Sequence, residues 1–207
     1  IAFATASGPA LGLRIGNEVV NLTAEGLPST LEALLQQGAV GLERARVAAE
    51  KGRTRIPLEQ IQYLAPINNP AKAIAVGLNF KDHAAESNFQ PPSYPVLFNR
   101  FPSSWVGHNA PIVRPHVSER FDYEGELLVV IGKAGRHIAA EDAMQHIAGY
   151  TLMMDGSVRD WQQHSVTAGK NFDRSSAYGP WLTTADEIAD PGEIMLTTRL
   201  NGEIMQQ

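Results

Sequence analysis

The sequence contains no cysteine. Disulfides and thiolate chemistry are therefore excluded, and any metal site must be built from carboxylates, histidines and carbonyl oxygens. No apolar run approaches the roughly 18 residues of a membrane-spanning helix. The apolar opening IAFATASGPALGL lacks a basic n-region and is not read as a signal peptide. It starts with Ile rather than Met, so a segment upstream is expected. Basic residues are not in excess: 17 Lys and Arg stand against 22 Asp and Glu, a net charge of −5. Neither nucleic acid nor an anionic membrane is the partner this balance suggests. Internal repeats and low-complexity stretches are also lacking. What is present is a 207-residue chain, 43% hydrophobic and 19% charged, long enough for a sizeable core and ordinary for a globular protein.

The first part reads as a meander of short strands, IAFATA, LGLRIG and VVNL, broken by Ser7-Gly8-Pro9 and Gly16-Asn17-Glu18. A helix follows, with Ser29 as N-cap and Glu32 completing a capping box. Leu31, Leu34 and Leu35 form its apolar stripe, and Gly38 is expected to stop it. A second helix is predicted over Gly41 to Lys51. Prolines from Pro57 to Pro70 punctuate the chain, which divides it into a small N-terminal α+β domain, 1–65, and a larger domain, 66–207. In the second part, AKAIAVGLN is a strand ending in a glycine turn, FKDHAAES a short polar helix and NFQPPSYP a loop. From Val96 onward short strands dominate, with one short helix near Glu141-Asp142-Ala143. The fold class is mainly β with minor α, not alternating βαβ. Asn201-Gly202 marks a terminal hairpin whose return strand is cut short, so a continuation is expected.

Within FDYEGELLVVIGK, Asp122, Glu124 and Glu126 alternate just before a run of strand formers. Alternate strand residues share a face, so these acids point to one place and repel. A solvated edge strand would tolerate them, and so would a divalent cation, which takes oxygen ligands. A further acid, Asp155, ends the apolar strand Gly149 to Met154, where it needs a partner. Arg159 and Gln162 share one face if their turn is helical, and Lys170 follows a glycine in a polar loop. His83 and Glu86 lie one helical turn apart, a spacing that lets the carboxylate orient the imidazole and raise its basicity. Taken singly, each of these is as readily an ordinary surface side chain. His108, His116, His137, His146 and His164 are read as structural.

These pieces occur in a telling order: Gly77-Leu78-Asn79-Phe80-Lys81-Asp82-His83-Ala84-Ala85-Glu86, Asp122-Tyr123-Glu124-Gly125-Glu126-Leu127, Asp155-Gly156-Ser157-Val158-Arg159-Asp160-Trp161-Gln162, Gly169-Lys170-Asn171-Phe172-Asp173, Gly179-Pro180-Trp181 and Asn201-Gly202-Glu203. From about Lys72 to the last residue the chain resembles the fumarylacetoacetate hydrolase family. The resemblance implies a mixed β-sheet roll, usually a homodimer. It implies that Glu124, Glu126 and Asp155 hold Mg²⁺ or Mn²⁺, with Ca²⁺ a further candidate. It implies that His83 and Glu86 form a base dyad on a mobile lid, that Lys170 and Gln162 face the substrate, and that Arg159 stands beside them. Family members act on small β-diketo or 2-oxo acids.

The chain departs from the family pattern in three places. Met154 stands where an asparagine usually precedes the metal aspartate. Arg174 stands where threonine or serine is common, placed either for an extra substrate carboxylate or for water. The Gly-Thr-rich C-terminal loop is absent. The reading reached is a cytoplasmic, metal-dependent hydrolase that cleaves a C–C bond in an acylpyruvate, such as fumarylpyruvate or a fumarylacetoacetate-like compound, in aromatic catabolism. Its small-molecule partner is a dicarbonyl or 2-oxo acid. The alternatives kept beside it are an isomerase or decarboxylase on the same platform, oxaloacetate decarboxylation included, and a non-catalytic metal-binding homologue.

Overall fold

The computed structural model describes residues 1–80 and 93–207. Strands β1 (Ala2–Thr5), β2 (Gly8–Ile15) and β3 (Glu18–Asn21) form the expected meander. With β4 (Arg55–Pro57) and β5 (Gln62–Tyr63) they make a five-stranded sheet in the order β4-β3-β2-β1-β5. Successive residues alternate between its faces, as the strand period requires. Leu11, Val20 and Leu22 pack with Leu31, Leu34, Ala45 and Ala49 of the two helices. Phe3, Ala10 and Val19 face the other way, against Ile56, Tyr63 and Trp181.

The helices are α1 (Leu31–Leu35) and α2 (Gly38–Lys51). Their ends differ from the expectation. Thr30, not Ser29, caps α1, its side chain accepting from Ala33 N at 3.2 Å. Gly38 does not end α1 but opens α2, at a φ of +59° that side chains rarely tolerate. Gly41 thus lies inside α2, pressed so closely against the preceding turn that a Cβ would stand 2.6 Å from Leu34 O.

The chain crosses to the second half at Leu64 and Ala65. Leu64 N still bonds Ala2 O at 2.9 Å, while Ala65 packs with Trp105 and Tyr178. There β10 (Gly125–Ile131), β11 (Ile147–Met154), β13 (Ser176–Thr184) and β8 (Trp105–Gly107) form a four-stranded sheet in that order, parallel between β13 and β8. Three two-stranded pairs surround it: β6 (Ile74–Gly77) with β7 (Val96–Asn99), β9 (Phe121–Asp122) with β12 (Ser157–Val158), and β14 (Thr198–Leu200) with β15 (Glu203–Gln206). The last is the expected hairpin, with Asn201 at φ +52° and Gly202 at φ +91°. It docks on the start of β10, where Gln206 Oε1 accepts from Gly125 N at 2.7 Å. The helix expected near Glu141 is a 3-10 helix over Ala140–His146.

Candidate active site

The acidic stretch does not run as one strand. Asp122 ends β9 and pairs with Ser157, whereas β10 begins at Gly125, so the chain changes sheets between them. The bend is anchored where Asp155 N donates to Glu124 O at 2.7 Å, which brings the end of β11 against the start of β10. Asp122 therefore does not share a strand face with Glu126. It turns instead to the guanidinium of Arg159, accepting at Oδ2 from Nε (2.8 Å) and Nη2 (2.6 Å).

Around Glu124 and Asp155 the acids meet cations of the chain itself. Lys170 ends the five-residue helix α3 (Val166–Lys170), which Ser165 caps by accepting from Ala168 N at 3.0 Å. The lysine was expected in a polar loop; it is instead 3% exposed. Gly169 permits this, because a Cβ there would stand 2.3 Å from Gln162 Cγ and 2.8 Å from Val158 O. Lys170 Nζ donates to Glu124 Oε2 and, at 2.7 Å, to Asp155 Oδ2. Arg159 Nη1 lies 2.7 Å from Glu124 Oε1. The expected proximity of Arg159 and Gln162 is present, with Nη1 3.5 Å from Oε1 across a 3-10 turn.

Arg100 was not anticipated. It is 5% exposed, follows β7 directly and places Nη1 3.1 Å from Asp155 Oδ1. Its Nη2 donates to Ser176 Oγ, which accepts also from Gly156 N at 2.9 Å. One signal in the sequence could have found it: like Asp155, it is a charge at the end of an apolar strand.

Electrostatics follow from this packing. Burial lowers the pKa of Arg100, with Asp155 opposing the shift. For Arg159 burial also works downward, but Glu124 and Asp122 outweigh it and the pKa rises. Glu126 forms no ion pair among the described residues. Burial above all, then Glu124 and Asp155, push its pKa up to about 7, against the pull of Lys170. Three of the four carboxylates thus pair with the three cations, and Glu126, the one left without an ion pair among the described residues, has its pKa raised.

Among the described residues no three His, Asp or Glu side chains form a closed ligand set. Glu124 and Asp155 converge on the ammonium of Lys170, and Glu126 stands close enough to feel both. The chemistry nonetheless fits a hard cation. The donors are all oxygen, and buried Asp155 Oδ1 has no hydrogen-bond partner, since nearby Arg100 Nη1 is out of line. His83 and Glu86 lie outside the described residues. Met154 pairs with Gly125 and Ala177 inside the four-stranded sheet. Arg174 is exposed, at a φ of +51°.

Fold and site together define a β-roll protein with a buried carboxylate–cation cluster at the meeting of β10, β11 and α3. The chain belongs to the fumarylacetoacetate hydrolase family: residues 72–207 match the family described as fumarylacetoacetate (FAA) hydrolase C-terminal. It is 42% identical over 207 residues to the mitochondrial oxaloacetate tautomerase FAHD2A of Homo sapiens, an alignment covering 96% of this chain and 66% of that protein. The chain thus spans just under two thirds of the length of the curated relatives it matches. Among solved structures it is similar to the fumarylacetoacetate hydrolase of Exiguobacterium antarcticum, with a TM-score of 0.81, 31% identity, and 99% of this chain and 73% of that one covered. It is also similar to the maleylpyruvate hydrolase of Sphingobium sp. SYK-6 in complex with manganese(II) and pyruvate, with a TM-score of 0.73, 31% identity, and 92% and 69% covered. No helix among the described residues is long and apolar enough to cross a membrane.

Proposed function

We propose that the chain carries the site of a divalent-metal-dependent enzyme that moves a proton between the keto and enol forms of a small 2-oxo dicarboxylic acid of the oxaloacetate type. The observation that carries this reading is the buried convergence of Glu124 and Asp155 on one positive centre, with Glu126 beside them. The 42% identity to an oxaloacetate tautomerase supports the choice of reaction.

Glu124, Glu126 and Asp155 would hold Mg²⁺ or Mn²⁺, with Ca²⁺ a further fit to the same oxygens. When bound, the ion supplies Lewis acidity toward the 2-oxo and neighbouring carboxylate oxygens. The chain's own residues do the rest. Lys170 places positive charge where the 2-oxo oxygen gains negative charge as the C3–H bond breaks. Arg159, held by Asp122 and Glu124, and Gln162 orient the substrate. His83, oriented by Glu86, would take the proton from C3 as the C2–C3 double bond forms, and water would supply the proton that the 2-oxo oxygen gains, so the keto and enol forms interconvert with no net change in protons.

A second reading is hydrolysis of an acylpyruvate, in which His83 would deprotonate water instead. The similarity to a maleylpyruvate hydrolase with pyruvate bound favours it. Both readings are tested by mixing the protein and Mn²⁺ with enol-oxaloacetate and, separately, with an acylpyruvate. Faster loss of the oxaloacetate enol band without CO₂ release supports tautomerisation, and stoichiometric pyruvate from the acylpyruvate supports hydrolysis. His83→Ala is expected to slow the active reaction about 10²–10⁴-fold while Mn²⁺ still binds. No acceleration of either substrate would overturn both readings.

A further inference from the structure

The two buried cations on Asp155 come from distant parts of the chain. Arg100 follows β7, and Lys170 ends α3. The side chain of Asn171, the residue after Lys170, joins the two places. Its Nδ2 donates to Asn99 O at 2.9 Å and to Thr167 O at 2.8 Å, and its Oδ1 accepts from Phe101 N at 2.7 Å. Two carbonyls and one N–H fix the orientation of the amide without ambiguity. The residues bonded on the β7 side are the immediate neighbours of Arg100, one before and one after. The residue bonded on the helical side lies one turn before Asn171 within α3.

We propose that Asn171 is a positioning residue: its carboxamide clamps the end of β7 to the end of α3, so that Arg100 and Lys170 are held on the two oxygens of Asp155. The geometry that must be maintained is narrow. Arg100 Nη1 reaches Oδ1 at 3.1 Å and Lys170 Nζ reaches Oδ2 at 2.7 Å, so a shift of either element rotates the carboxylate or strips one side of it. Arg100 is anchored on its far side by Ser176, which leaves its main chain as the adjustable end. That main chain has a further fixed point, Arg100 N on Ala73 O at 3.0 Å, which ties it to the β6 side of the β6–β7 pair but not to α3. Among the described hydrogen bonds, those of Asn171 are the ones that span from the main chain of Arg100's neighbours to α3. Neither serine nor alanine offers two donors and an acceptor at that reach.

This inference rests on reading Glu124, Glu126 and Asp155 as cation ligands, and its test separates the two. Mn²⁺ affinity by calorimetry and steady-state turnover of enol-oxaloacetate are measured for wild type, Asn171→Ala, Asn171→Asp, Arg100→Lys and the double variant Arg100→Lys/Asn171→Ala. Partners that orient a ligand typically contribute about 10–100-fold to metal affinity or activity, and Asn171→Ala is expected to lose that much in Mn²⁺ affinity and in kcat, with KM changed less than roughly threefold. Asn171→Asp keeps the acceptor for Phe101 N but turns a carboxylate oxygen toward the carbonyls of Asn99 and Thr167, so its loss is expected to be at least that of Asn171→Ala. Because Asn171 acts through Arg100, the double variant is expected to lose less than the sum of the two single losses. If wild type binds Mn²⁺ but Asn171→Ala binds it equally well and turns over at the same rate, the inference fails and the proposed function stands, even if the melting temperature drops. Strictly additive losses also overturn it. A wild type that binds no Mn²⁺ overturns the proposed function, and the inference with it.

Discussion

Lys170 Nζ lies 2.7 Å from Asp155 Oδ2, and both side chains are buried. Glu124 shares the same ammonium, so the lysine compensates two acids at once. Removing one partner of a buried ion pair strands the other, at a typical loss of about 3–5 kcal/mol. Lys170→Met is expected to destabilise the chelator-treated protein by that order and to abolish turnover. Added Mn²⁺ should raise the melting temperature of the variant more than that of wild type, because a divalent cation replaces the lost charge. Equal melting temperatures for variant and wild type in chelator would show that the lysine is not what neutralises Glu124 and Asp155.

Glu126 gives a pH dependence of the opposite sense to an ordinary paired acid. Its pKa rises from 4.5 to about 7 in the folded chain, through burial first and then the neighbouring Glu124 and Asp155. Between those values the folded state keeps a proton that the unfolded state has released. Unfolding then releases a proton, and stability falls as pH rises through that window. Glu126→Gln removes this term. In chelator the variant is expected to match wild type below the window and to melt a few degrees higher above it, while its Mn²⁺ affinity falls sharply. Parallel melting curves across the whole range would refute the assignment.

The sequence made much of this site legible, because its strongest signals are local. Acids beside or at the end of apolar strands, Glu124 and Asp155, had to find partners, and Asn201-Gly202 encoded its own turn. Side-chain environments set by distant segments were not legible in the same way. Arg100 sits in Asn99-Arg100-Phe101-Pro102, which reads as a surface loop until β13, some 76 residues on, brings Ser176 to it. Lys170 looked exposed because a five-residue helix carries little periodic signal, and its burial depends on how closely Gly169 approaches Gln162. Asp122 was expected to share one face with Glu124 and Glu126 because alternation assumes one continuous strand, and the change of sheet before Gly125 breaks that assumption.

Gly169 is a direct probe of how Lys170 is placed. A Cβ added there would meet Gln162 Cγ at 2.3 Å, Val158 O at 2.8 Å and Gln162 N at 2.9 Å. The glutamine side chain can swing away, but the two backbone atoms cannot, so α3 must shift. Overpacking of this kind costs about 1–3 kcal/mol. Gly169→Ala is expected to fold with that loss and to reduce kcat at least tenfold, since the shift carries Lys170 with it. Unchanged turnover at an unchanged melting temperature would mean that the helix is free to adjust without moving the ammonium.

The last expectation concerns Arg159, whose guanidinium spans Asp122 and Glu124. Its two contacts with Asp122 use Nε and Nη2, a forked arrangement that a lysine cannot reproduce. Nη1 is left for Glu124 and, more distantly, for Gln162. Asp122 therefore acts on the site by fixing the plane of the guanidinium, even though its own carboxylate is partly exposed. Asp122→Asn keeps the shape and one acceptor but removes the charge, whereas Arg159→Lys keeps the charge but loses the fork. If orientation is what matters, Arg159→Lys should impair turnover more than Asp122→Asn does, with losses of about 10–100-fold and several-fold respectively. If charge alone matters, Arg159→Lys should be nearly silent. Turnover of enol-oxaloacetate by both variants at saturating Mn²⁺ decides between them, and near-wild-type activity of Arg159→Lys would remove Arg159 from the orienting role proposed for it.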